Sequence, residues 1–105
     1  MTTTGTHILV VDDEPDIREF IGYNLEKEGY QVAVAENGDQ AIKKATERVP
    51  DLILLDIMMP EMDGIEVCSQ LRADSRFDGT VIAFLTARNE DFTQIAGFDV
   101  GGDDY

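Results

Sequence analysis

The chain has 105 residues and carries 22 Asp plus Glu against 8 Lys plus Arg, a formal net charge of −14. That length builds one domain around one core, and so acidic a surface excludes direct nucleic-acid binding by this domain, because phosphate backbones are held by Lys and Arg displacing counterions. One cysteine, Cys68, excludes an internal disulfide and a cysteine-based metal site, and no apolar run approaches the roughly 18 residues of a membrane span.

Residues 1–6 read as a disordered leader without the charged and apolar regions of a signal peptide, so a cytoplasmic location is expected. His7, the single histidine, precedes the first strand and is expected on the surface. Ile8-Leu9-Val10-Val11 is an apolar strand that ends in Asp12-Asp13-Glu14. Pro15 suits the first turn of a helix, in which Ile17, Phe20, Ile21 and Leu25 recur at helical spacing until Gly29 closes it. Gln31 to Ala35 is a short second strand. Asn37-Gly38-Asp39 turns into a helix with Ala41, Ile42 and Ala45 inward, ending before Pro50.

Leu52-Ile53-Leu54-Leu55-Asp56 is the stretch around which the rest is organised. Four bulky apolar residues in a row predict a strand covered on both faces, central in a parallel sheet. Its last residue is a carboxylate, placed where open α/β sheets bind ligands. A Pro- and Gly-bearing loop follows through Pro60 and Gly64, then a helix marked by Ile65, Cys68 and Leu71, with Cys68 as a small buried apolar residue. Phe77-Asp78-Gly79 is turn chemistry. Val81 to Leu85 is a fourth strand ending at Thr86, and Asn89 or Glu90 begins a fourth helix. Strands recurring every 20 to 25 residues or so with one helix between them predict right-handed crossovers and a doubly wound parallel α/β sheet.

If the first and third strands are neighbours, Asp12, Asp13 and Asp56 converge. Like charges at ~4 Å repel by about 4 kcal/mol per pair at an effective dielectric near 20. A hard divalent cation is the natural counter-charge, and Mg²⁺ takes oxygen ligands while keeping waters. The spacing thus predicts a Mg²⁺ site open to a phosphoryl group. Asp after a strand is equally at home as a turn or cap residue, and Thr86 alone reads more readily as a strand-end residue than as a ligand contact.

Five fragments in order carry a resemblance: Val10-Val11-Asp12-Asp13-Glu14, Leu54 to Pro60, Met62-Asp63-Gly64, Phe84-Leu85-Thr86-Ala87-Arg88 and Gly102-Asp103-Asp104-Tyr105. Together they resemble the response-regulator receiver domain of two-component signalling, in register over residues 7–105. The resemblance implies a flavodoxin-like sheet of strand order 2-1-3-4-5. It implies that Asp56 is the phospho-acceptor, taking a phosphoryl group from a histidine of a sensor kinase or phosphotransfer protein. Asp13 is then a direct Mg²⁺ ligand, Asp12 a ligand through water or a positioning acid, and the Met58 backbone carbonyl a further ligand. Thr86 becomes the switch hydroxyl, with the Ala87 amide beside it, and Pro60, Asp63 and Gly64 shape the site.

The family also places a lysine at the end of a fifth strand. None of Arg18, Lys27, Lys43, Lys44, Arg48, Arg72, Arg76 and Arg88 occupies that position, and the fifth strand and helix are largely absent from this chain. The expectation is a C-terminally incomplete receiver with an exposed edge at the fourth strand, prone to form a homodimer or strand-exchanged oligomer. Phosphorylation is expected to be impaired. The rival reading is a Mg²⁺-dependent phosphohydrolase with an Asp nucleophile, but such enzymes carry Asp-x-Asp after the first strand, whereas Asp12 and Asp13 are adjacent. An EF-hand starting at Asp12 fails because Ile17 stands where the loop needs Gly and Tyr23 where it needs Glu.

Overall fold

The computed structural model describes residues 5–85. Thr86, Ala87 and the expected fourth helix lie outside them. Four parallel strands, β1 (His7–Val11), β2 (Gln31–Ala35), β3 (Leu52–Asp56) and β4 (Val81–Leu85), lie in the order β2-β1-β3-β4. Three helices connect them: α1 (Pro15–Lys27), α2 (Gly38–Glu47) and α3 (Gly64–Arg72). This is the doubly wound, flavodoxin-like arrangement, and the expected 2-1-3-4 order holds over the described residues. The chain moves outward from β1 to β2, then returns past β1 to β3 and continues to β4. The order therefore reverses between β1 and β3, and their carboxyl ends flank the crevice where such sheets bind ligands.

The three helices start and stop for local reasons. Pro15 sits in the first turn of α1, where a missing N–H costs nothing. Gly29 (φ +99°) ends that helix by a Schellman motif: Tyr30 N–H donates to the Leu25 carbonyl at 3.2 Å and Gly29 N–H to Glu26 at 3.0 Å. Asn37 caps α2 by accepting from Gln40 N–H at 2.8 Å, and Asp63 caps α3 by accepting from Glu66 N–H at 2.9 Å.

The core lies between the sheet and α2 and α3. It comprises Leu9, Val11, Ile53, Leu55, Ile82 and Phe84 from the strands, with Ala41 and Ala45 from α2 and Val67, Cys68 and Leu71 from α3. The opposite face carries α1, packed on β1 and β2 with Gly22 against Val32. Cys68 is a free, buried thiol, as its helical position predicts.

Four local expectations are corrected. Full burial on both faces falls to β1, whose five residues are all buried; β3 buries Ile53 and Leu55 but leaves Leu52 and Leu54 partly exposed. In α1 the inward residues are Ile21, Gly22 and Leu25, whereas Phe20 is 70 % exposed and Ile17 also faces outward. His7 is not a surface residue: it begins β1 and is only 7 % exposed. Its N–H donates to Asp51 Oδ2 and its carbonyl accepts from Asp51 N–H, both at 2.8 Å, so pairing with the chain ahead of β3 draws it in. Phe77 is more than turn chemistry, because it closes a single 3₁₀ turn (Ser75–Phe77) and buries its ring in the core.

Candidate functional site

The acidic end of the sheet is built from two strand tips. Asp12 follows β1 directly, its N–H donating to the Ala35 carbonyl at 3.1 Å, which extends the pairing with β2 by one residue. Its carboxylate turns back on the chain, Oδ1 accepting from Glu14 N–H at 2.8 Å in an Asx turn that launches α1. Asp12 is buried, Asp13 exposed and Asp56 half-buried at the end of β3. One carboxylate oxygen from each lies within 4.8 Å of the others. Adjacent strands and matched register thus converge the three acids that the sequence singles out. Burial pushes the Asp12 carboxyl above the ordinary carboxylate range, and the neighbouring charges of Asp13 and Glu14 push the same way, against the Glu14 N–H and Arg18.

The loop after β3 fixes Asp56 from below. Met58 N–H donates to Asp56 Oδ1 at 3.2 Å, and the Ile57 carbonyl accepts from Met59 N–H at 3.2 Å and from Gly64 N–H at 3.0 Å. Glu61 takes a left-handed conformation (φ +67°), at a cost of roughly 1–2 kcal/mol for a residue with a Cβ. Gly64 brings the first turn of α3 against the backbone of β3, so close that a Cβ there would lie 2.2 Å from the Asp56 carbonyl oxygen. Among the site residues expected from sequence, Asp12, Asp13, Asp56 and Met58 are brought to one place, whereas Thr86 and Ala87 fall outside the described residues.

One neighbour carries no signal in the sequence. Arg18, on the second turn of α1, donates from Nη1 to the Asp12 carbonyl at 2.7 Å, and its Nη2 lies 3.8 Å from Glu36 Oε2. A charged residue on an exposed-looking helix face reads as solvated surface, and side-chain contacts to main-chain carbonyls leave no pattern to find.

The donor set suits Mg²⁺. All three groups are hard oxygen donors, and octahedral coordination at about 2.1 Å puts opposite ligand atoms ~4.2 Å apart. A 4.8 Å spread therefore closes around such an ion by a small side-chain rotation, or with one carboxylate reaching it through water.

Residues 8–105 match the family described as the response regulator receiver domain. The chain belongs to that family. Among curated relatives, it is 50 % identical over 98 residues to the alkaline phosphatase synthesis transcriptional regulatory protein PhoP of Bacillus subtilis, a match covering 93 % of this chain and 40 % of PhoP. It is 52 % identical over 103 residues to the transcriptional regulatory protein ResD of the same organism, covering 98 % of this chain and 42 % of ResD. The receiver domain thus spans about two-fifths of the length of these relatives. Among solved structures, chemotaxis protein CheY4 of Vibrio cholerae superposes with a TM-score of 0.89 at 32 % identity, covering 94 % of this chain and 82 % of that one. The response regulator TrrA of Thermotoga maritima, solved in complex with Mg²⁺ and BeF, gives a TM-score of 0.83 at 39 % identity over 95 % of this chain and 84 % of that one. As a response regulator receiver domain, the chain is a phospho-accepting signalling element.

Proposed function

We propose that Asp56 is the phospho-acceptor of this receiver domain and that residues 7–105 form the switch around it. The observation carrying this reading is the convergence of Asp12, Asp13 and Asp56 within 4.8 Å at the point where the strand order reverses. A carboxylate oxygen of Asp56 attacks phosphorus in line with the departing nitrogen of a phosphohistidine on a sensor kinase or phosphotransfer protein. The new O–P bond makes an acyl phosphate, and the P–N bonding pair returns to the imidazole. Asp13 and Asp56, with Asp12 directly or through water and the Met58 carbonyl, would hold Mg²⁺. That ion supplies neutralisation of the charge on the transferred phosphoryl oxygens.

The chain's own residues then do the positioning. Met58 N–H orients the Asp56 carboxylate, and the close approach of Gly64 sets the start of α3 against the backbone at the end of β3. Burial keeps bulk water from Asp12. The Thr86 hydroxyl and the Ala87 amide meet the phosphoryl oxygens, and the change in charge is read out through Thr86 and the fourth-helix region. The cycle modifies and restores the domain itself rather than turning over a substrate. The description of PhoP and ResD as transcriptional regulatory proteins supports reading this domain as a cytoplasmic input to a transcriptional output.

The test is labelling with acetyl phosphate, with Mg²⁺ or with EDTA, followed by intact mass. A single phosphoryl adduct that needs the metal and is absent from Asp56→Asn is expected. Equal labelling of Asp56→Asn, or sustained hydrolysis of phosphate esters, contradicts the proposal.

A further inference from the structure

Among the described residues, Arg18 brings a cation to the acidic end of the sheet, yet its hydrogen bond there goes to the Asp12 main-chain oxygen, at 2.7 Å from Nη1. Its second prong approaches Glu36, the first residue after β2, at 3.8 Å. The Arg18 side chain is only 17 % exposed, although it springs from a helix surface. The guanidinium therefore sits between the carboxyl ends of two adjacent strands, hydrogen-bonded to Asp12 at one and in ion-pair range of Glu36 at the other. Because Asp12 and Asp13 share a peptide unit, fixing the Asp12 carbonyl fixes the plane from which the Asp13 side chain departs. The contact itself goes to a main-chain oxygen and takes no carboxylate oxygen of Asp12.

We propose that Arg18 is a positioning residue: its guanidinium clamps the Asp12 carbonyl to the Glu36 carboxylate and so preorganises Asp13 for the metal. This rests on the proposed function of the acid trio. Charge and position make opposite forecasts. A cation beside the site repels a dication, so removing Arg18 strengthens Mg²⁺ binding if charge is all that matters. If the clamp matters, removal weakens binding by about tenfold, the lower end of the range for groups that orient metal ligands. A planar, two-pronged guanidinium reaches both partners, whereas a lysine ammonium keeps the charge and loses the fork.

The experiment compares wild type, Arg18→Gln and Arg18→Lys by calorimetric titration with Mg²⁺, thermal melting and ¹H–¹⁵N spectra without metal. Both variants are expected to bind Mg²⁺ about tenfold more weakly, to melt within a few degrees of wild type, and to shift the Asp13 and Glu14 amides before any metal is added. Unchanged or tighter binding by Arg18→Gln overturns the proposal, as does wild-type affinity in Arg18→Lys. A collapse of melting temperature in both variants also overturns it, in favour of a strut needed only for folding. Wild-type protein that fails to bind Mg²⁺ sinks the reading of the acid trio and this inference with it; wild-type binding with unaltered variants sinks this inference alone.

Discussion

Two helical glycines are expected to respond to alanine with opposite signs. At Gly64 the added Cβ would lie 2.2 Å from the Asp56 carbonyl oxygen and 2.9 Å from both the Asp56 carbonyl carbon and Ile57 Cα. The oxygen contact is more than an ångström inside ordinary van der Waals distance, and all three atoms are backbone, so no rotamer change relieves it. Overpacking of this kind costs about 3 kcal/mol, the upper part of its usual range. For a domain of this size it lowers the melting temperature by roughly 10–20 °C. The shift also carries the end of β3 away from α3, and a misplacement of ~1 Å at a reacting group costs on the order of a hundredfold in rate. At Gly22, mid-helix in α1, the added Cβ would meet only Val32 Cγ1 at 3.7 Å, an ordinary contact. Alanine there stabilises by about 0.5–1 kcal/mol through helix propensity and a less flexible unfolded chain. Urea denaturation of the two variants beside wild type, with acetyl-phosphate labelling rates, measures both effects. A Gly64→Ala protein with the wild-type midpoint and labelling rate would refute the reasoning.

Asn37→Ala and Asp63→Ala each remove a helix N-cap and should cost about 1 kcal/mol of stability by urea denaturation, with only Asp63→Ala also slowing Asp56 labelling, because it loosens the loop after β3. Burial first, and Arg48 second, hold the His7 imidazole below its ordinary value of 6.5, whereas the Gln31 backbone and Asp51 pull it upward. The unfolded chain then takes up that proton first. The contribution of His7 is thus full above about pH 6.5, falls as pH drops below it, and levels once folded His7 is itself protonated. With a single histidine in the chain, His7→Gln should flatten the stability profile between about pH 7.5 and 5.5; an unchanged slope would contradict this.

The strands and the acids at two of their tips are legible because a continuous apolar run has one physical use in a small α/β domain, and the runs of β1 and β3 each stop at a carboxylate. Legibility failed where a contact spans the sequence. His7 reads as a surface residue ahead of the first strand because its burial depends on Asp51, 44 positions away. Phe77 hides within Ser75-Arg76-Phe77-Asp78-Gly79, whose neighbours signal a turn while the ring fills the core. Phe20 keeps helical spacing yet faces outward, since periodicity defines a stripe but not which flank of it meets the sheet. At the site, carboxylates announce themselves by type and position. The grip of Arg18 on a main-chain oxygen and the close approach of Gly64 to Asp56 are tertiary facts without a sequence pattern.

Mn²⁺ substituted for Mg²⁺ reports the ion's position directly, through paramagnetic broadening of ¹H–¹⁵N amide signals at low metal stoichiometry. With acids spread over the whole surface, the pattern discriminates sharply. The amides of Asp12 to Glu14 and Asp56 to Met59 should vanish first, while those of His7 and Asp51 at the opposite end of the sheet persist. Broadening centred instead on Glu61, Asp63 and Glu66, or spread evenly over the acidic surface, would contradict a metal seat formed by Asp12, Asp13 and Asp56.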